Sequence, residues 1–159
     1  MNKPTVYLLC GLPGSGKSTW SEKFVGENPN TVWYKLDKEF FKKHKSSFYG
    51  DKFQEYEDEI KKEILEKVKQ DIAGNKDVIL DYGFWKKADR EEYKRIVTDL
   101  GAESKLLYFK CEKGILLERL NKRNSQDLTH EHKIDEKMFE VFLAKFEEPC
   151  VGENFELLI

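Results

Sequence analysis

Near the start of the chain, Leu9 to Thr19 read LCGLPGSGKST. Gly11, Gly16, Lys17 and Ser18 stand there in the order Gly-x4-Gly-Lys-Ser, the Walker A spacing. A loop of this kind, Gly11, Leu12, Pro13, Gly14, Ser15 and Gly16, lets the backbone come close to phosphate oxygens. Its N–H groups, with those of the helix that follows, can then point at the negative charge. Lys17 is the residue that would reach β- and γ-phosphates. Ser18 would place its hydroxyl on Mg²⁺, with Thr19 beside it in the first helical turn.

Holding a nucleotide is not yet a reaction. Two carboxylates further along could make it one. Asp37 closes the stretch YKLD, and a carboxylate facing the γ-phosphate could take the proton from an acceptor hydroxyl. The same aspartate could instead serve only as a helix N-cap. Asp81 ends VILD, an apolar strand followed by an acid, as in strands whose aspartate supports Mg²⁺. It could equally cap a turn. The aromatic run Tyr82-Gly83-Phe84-Trp85 follows at once, and Tyr82 and Trp85 could wall a pocket for an organic acceptor or belong to the core. Arg119 and Arg123 lie four apart and so share a helix face, which suits arginines that stabilise charge on a moving phosphoryl group. Arg123 stands just before a polar stretch that could close as a lid. Arg90, at the start of the helix after Trp85, could reach the same crevice from the acceptor side.

The elements that must position these groups alternate. Thr5 to Cys10 is a short apolar run and reads as a buried strand; KSTWSEKFVGE reads as a helix ending near Gly26. Thr31 to Asp37 is a second strand, with a short helical piece after it. Asp51 to Ala73 is a long amphipathic helix: Phe53, Tyr56, Ile60, Ile64, Val68 and Ile72 step by three and four, and Gly74-Asn75 ends it. Asp77 to Gly83 is a third strand, Ala88 to Leu100 a helix and Ser104 to Cys111 a fourth strand. KGILLERLNKRN is helical, Ser125 to Lys133 polar and loop-like, Glu136 to Glu148 a last helix, and NFELLI a fifth strand. Strands that are near-continuous apolar runs, alternating with helices, predict a five-stranded parallel sheet covered on both faces, an α/β/α sandwich. Ligands of such sheets bind outside the carboxyl ends of the strands. The glycine loop, Asp37 and the Asp81–Trp85 run all fall at such ends and should meet in one crevice.

A chain of 159 residues is one domain of ordinary size, here 1–159, with residues 121–136 as the approximate lid. Its net charge of −2 gives no overall basic field for nucleic acid or anionic membrane. No apolar run approaches the roughly 20 residues that span a bilayer, and MNKPTVYLLCG is too short in apolar residues for a signal peptide, so a cytoplasmic protein is expected. Cys10, Cys111 and Cys150 are odd in number and contain no CxxC, which predicts reduced, structural thiols. His130 and His132 have no zinc-site spacing and read as exposed loop residues.

Together GLPGSGKST, LD at Asp37, ILDYGFW, DREEY with Arg90, LGA at Leu100, LERLNKRN and EVFLAKFEEP resemble a known group. It is the P-loop kinase family that includes chloramphenicol phosphotransferase, the zeta-toxin kinases and the kinase domain of polynucleotide kinase. The likeness is strongest to a bacterial branch of ATP-binding kinases and covers nearly the whole chain. It implies a P-loop NTPase fold arranged as in adenylate kinase, with a small lid. It also implies Asp37 as base, Lys17 and Ser18 on nucleotide and Mg²⁺, and Arg123 with Arg119 on the phosphates. Departures are visible. Glu112 stands where that branch usually has a proline, Lys110 where an acid is common, and Lys86 where a serine would cap a helix. Polynucleotide kinases keep an arginine shortly after the base, whereas Lys38, Glu39 and Phe40 follow Asp37, which weighs against nucleic acid as acceptor.

The expectation is a Mg²⁺-dependent phosphotransferase using ATP or GTP. Its acceptor hydroxyl would belong to a small molecule, a nucleotide sugar or a polynucleotide 5′ end. An ATPase or switch without an acceptor, a zeta-like toxin kinase and a non-catalytic phosphate-binding module remain as rivals.

Overall fold

The computed structural model describes residues 2–44, 52–125 and 134–159. Residues 126–133, which hold half of the expected lid together with His130 and His132, lie outside the described residues. Five strands, β1 (Thr5–Cys10), β2 (Thr31–Lys35), β3 (Asp77–Gly83), β4 (Glu103–Phe109) and β5 (Phe155–Leu158), form one sheet in the order β2-β3-β1-β4-β5. Every pairing is parallel. The helices are α1 (Lys17–Glu27), α2 (Leu36–His44), α3 (Phe53–Ala73), α4 (Lys87–Asp99), α5 (Lys113–Asn124) and α6 (Glu136–Lys145).

The alternation of side chains along a strand explains the two covered faces. On β1, Val6, Leu8 and Cys10 join the core built with α2, α3 and α4, while Leu9 and Tyr7 face the cluster around Trp20, Phe24 and Val25 of α1. β3 repeats this: Val78 and Leu80 face one way and Ile79 the other. On α3 the expected stripe is the buried one, Ile60, Ile64, Val68 and Ile72. Leu8, Leu9 and Ile79 are fully buried, each stabilising the fold by about 1.5–3 kcal/mol. A third cluster of Leu12, Leu116, Leu120, Ile134 and Phe139 joins the glycine loop to α5 and α6.

Boundaries moved in ways that matter. β2 stops at Lys35, and Leu36 and Asp37 already belong to α2, so Asp37 sits in a first helical turn and does not close the strand. α6 ends at Lys145, short of the expected Glu148. Asn75, with φ of 58°, takes the left-handed conformation that ends α3; Gly74 does not. All three cysteines are free: Cys10 buried, Cys111 half-buried, Cys150 exposed. Among the described residues no helix is long and apolar enough to cross a membrane.

Candidate active site

β1 runs directly into the glycine loop, so the loop opens at the carboxyl edge of the central strand. Its neighbours β3 and β4 pair with β1 up to Gly83 and Tyr108, which brings the ends of all three to the same rim. Above that rim lies a crevice of about 760 Å³.

Gly14 and Gly16 have φ of 85° and 103°, values that favour glycine, and they fold the loop back on itself. Gly11 is constrained by space: a Cβ there would stand 2.6 Å from Ser15 Oγ and 3.1 Å from the Phe109 carbonyl oxygen. Gly16 is the N-cap of α1 and supplies no side-chain cap, and the first turn carries no acid. Those N–H groups are therefore open to an anionic ligand, in the positive end of the helix. Ser15 Oγ is buried and has no hydrogen-bond partner among the described residues, a second feature that suits an oxyanion. Leu12 differs from the rest of the loop. Its side chain is buried in the α5–α6 cluster and does not line the crevice.

Lys17 Nζ donates to the carbonyls of Gly11 (3.1 Å) and Leu12 (3.0 Å). Burial lowers its pKa, and the carboxylates of Asp81 and Asp37 oppose that shift. Asp81 is 5% exposed; Ser18 Oγ donates to its Oδ2 (3.2 Å) and so does Trp33 Nε1 (3.3 Å). Burial raises the pKa of Asp81, opposed mainly by Lys17. One hydroxyl and one carboxylate at hydrogen-bond distance fit Mg²⁺, which takes few protein ligands and completes its shell with phosphate oxygens and water. Among the described residues no cluster of three or more His, Cys, Asp or Glu could hold a metal alone. Asp37 is exposed and lines the same crevice, held by the first turn of α2.

Arg119 and Arg123 both line the crevice, and Arg119 Nη1 donates to the Gly14 carbonyl at 3.0 Å. Pro13, Gly14, Ser15, Gly16, Ser18 and Thr19 line it too, as do Tyr82 and Trp85. Phe84, between those two aromatics, is core at 4% exposure.

Arg90 is where the sequence expectation fails. Its side chain is fully buried and does not line the crevice. Nε donates to Glu153 Oε1 at 2.7 Å and Nη2 to Oε2 at 3.1 Å, while Nη1 donates to the carbonyls of Phe84 and Glu147, both at 2.9 Å. The guanidinium is thus consumed by the fold. It ties the segment after α6 to the turn beyond β3, where Phe84 holds an unfavourable φ of 41°.

Trp33 and Lys35 were missed. Trp33 donates to Asp81, and Lys35, in register with Asp81 across β2–β3, lines the crevice. Both lie on a strand whose neighbour is 46 residues further on by that pairing, Lys35 to Asp81. Trp20, Lys23, Phe109 and Leu158 also line the crevice, and no spacing rule would have gathered them.

The family model of the AAA domain matches residues 6–149. The chain belongs to that family of P-loop proteins. Its solved relatives by shape include the Pnkp1/Rnl/Hen1 RNA repair complex, with 23% identity and a TM-score of 0.77 over 91% of this chain. This chain spans only 44% of that one. A gluconokinase from Sinorhizobium meliloti 1021 is 15% identical with a TM-score of 0.64, over 99% of this chain and 83% of its own. Kti12 from Chaetomium thermophilum, solved with ADP-AlF3, is 16% identical with a TM-score of 0.67, over 96% and 86%. At these identities the likeness is one of fold. No curated protein sequence matches significantly.

Proposed function

We propose that this domain transfers the γ-phosphoryl group of Mg·ATP to a hydroxyl. One observation supports the reading most: an exposed carboxylate, Asp37, faces the same crevice as Lys17 and the Ser18–Asp81 pair. A module that only bound phosphate would need no such carboxylate.

The acceptor lies between Asp37 and the wall of Tyr82 and Trp85. Asp37 takes the proton of the acceptor O–H as that oxygen bonds to the γ-phosphorus, and the bond from phosphorus to the β,γ-bridging oxygen breaks, its electrons leaving with ADP. Lys17, Arg119 and Arg123 supply positive charge to the oxygens involved. Mg²⁺, held by Ser18 and Asp81, would neutralise charge shared between β- and γ-phosphates. Solved relatives of the same fold include a gluconokinase and a chain of an RNA repair complex, so sugars and polynucleotide 5′ ends both belong in the acceptor panel.

The test is ATP turnover and transfer of labelled γ-phosphate across small hydroxylated compounds, nucleotide sugars and 5′-hydroxyl oligonucleotides. Asp37→Asn should lower transfer by about 100-fold or more while nucleotide affinity is retained. ATP hydrolysis indifferent to every acceptor, and intact in Asp37→Asn, would sink the kinase reading and leave an ATPase.

A further inference from the structure

Lys17 rests on two buried carbonyls that each have a second donor. Gly11 O accepts from Lys17 Nζ at 3.1 Å and also from Trp85 Nε1 at 3.2 Å. Leu12 O accepts from Lys17 Nζ at 3.0 Å and also from the Ser15 N–H at 3.2 Å. When Lys17 turns to a phosphate it abandons both acceptors. Gly11 and Leu12 are buried, so a carbonyl left with no donor there carries the full desolvation penalty. The second donors remove that penalty. The one on Leu12 is backbone and comes with the loop. The one on Gly11 is a side chain that arrives from β3's far end.

Trp85 is held for this task from several sides. Its ring packs on Phe142 of α6 with centroids 4.9 Å apart, and its carbonyl accepts from the Glu147 N–H at 2.8 Å. A Cβ on Gly83 would stand 3.0 Å from Nε1, so glycine there leaves room for the indole. The Gly11 N–H in turn donates to the Gly83 carbonyl at 3.0 Å, which fixes the two segments to each other.

We propose that Trp85 is a positioning residue for nucleotide: its indole N–H keeps the Gly11 carbonyl satisfied, so that Lys17 can leave it for the phosphates without stranding a buried acceptor. This rests on the nucleotide-binding half of the function proposed above and is separate from any contact of Trp85 with an acceptor.

The test is a double-mutant cycle on Mg·ATP affinity, read by titration calorimetry. Trp85→Phe keeps a ring against Phe142 and loses the N–H. It should weaken Mg·ATP about 3- to 10-fold in the parent background. In a Lys17→Met background no ammonium rests on Gly11, and the same change should have no effect. Equal losses in both backgrounds, or a Trp85→Phe affinity within about twofold of the parent, would overturn the proposal. A parent with no affinity for Mg·ATP would overturn both it and the reading of the cradle. Should Trp85→Phe fold poorly, hydrogen exchange at the indoles of the parent decides, with Trp85 assigned by difference from Trp20→Phe and Trp33→Phe. A Trp85 N–H that stays protected in the Mg·ATP complex supports the proposal; rapid exchange there refutes it.

Discussion

Arg90 and Glu153 offer the sharpest test of how the fold holds its site. The pair is bidentate and nearly dry, with side chains 0% and 3% exposed. Truncating one partner of such a pair leaves the other charge buried and uncompensated, which costs about 3–5 kcal/mol. Arg90→Met also releases the Phe84 and Glu147 carbonyls. A second route gives a similar size. Bonds from Arg90 and from the Cys150 N–H overcome burial and hold the Glu153 carboxyl down at about 2, against an ordinary 4.5. At about 1.4 kcal/mol per pH unit that is about 3 kcal/mol. Because the folded pKa is depressed, this stability is present above about pH 4.5 and disappears as the pH falls through about 2. Urea unfolding at pH 7 should therefore show Arg90→Met destabilised by about 3–5 kcal/mol, a large share of the roughly 5–15 kcal/mol of a domain. The gap to the parent should narrow on acidification toward pH 2. Arg90→Met combined with Glu153→Leu should recover much of the loss, since apolar replacement of a whole buried pair is often neutral. Arg90→Met within about 1 kcal/mol of the parent at pH 7, with the same acid profile, would refute the reasoning.

Three further outcomes follow from single positions. Gly11→Ala should weaken Mg·ATP binding and also lower the thermal midpoint, because the new Cβ meets the Phe109 carbonyl at 3.1 Å as well as Ser15 Oγ within the fold itself, as titration and scanning calorimetry would show. Ser18→Ala should raise the Mg²⁺ concentration needed for half-maximal turnover by about 10-fold or more while leaving metal-free nucleotide affinity near the parent's, as a metal titration of activity would show. Burial pushes the Cys10 thiol up to about 12, so at pH 8 iodoacetamide should label exposed Cys150 first and leave Cys10 unmodified in the folded protein, as peptide mass mapping would show.

The sequence by itself determined the sheet and the phosphate-cradle half of the candidate site. Strand and helix periods are local properties of the chain, and so is the Gly-x4-Gly-Lys-Ser spacing, because the whole cradle is built from consecutive residues. Asp37 and Asp81 were legible for a related reason: Asp37 follows β2 by two residues and Asp81 lies two residues before the end of β3, and in a parallel sheet the carboxyl ends of the strands share one rim. Strand order and register needed the tertiary structure. Only the pairing of β2 with β3 sets Trp33 and Lys35 beside Asp81. The fates of Arg90 and Trp85 were equally non-local. Arg90 looked like a crevice arginine until Glu153, 63 residues away, took its charge into the core. Trp85 looked like pocket wall or core, and its N–H found the Gly11 carbonyl, 74 residues back. A buried donor must be satisfied by whatever acceptor the fold brings within about 3 Å. That partner is chosen by three-dimensional proximity, and no spacing along the chain encodes it.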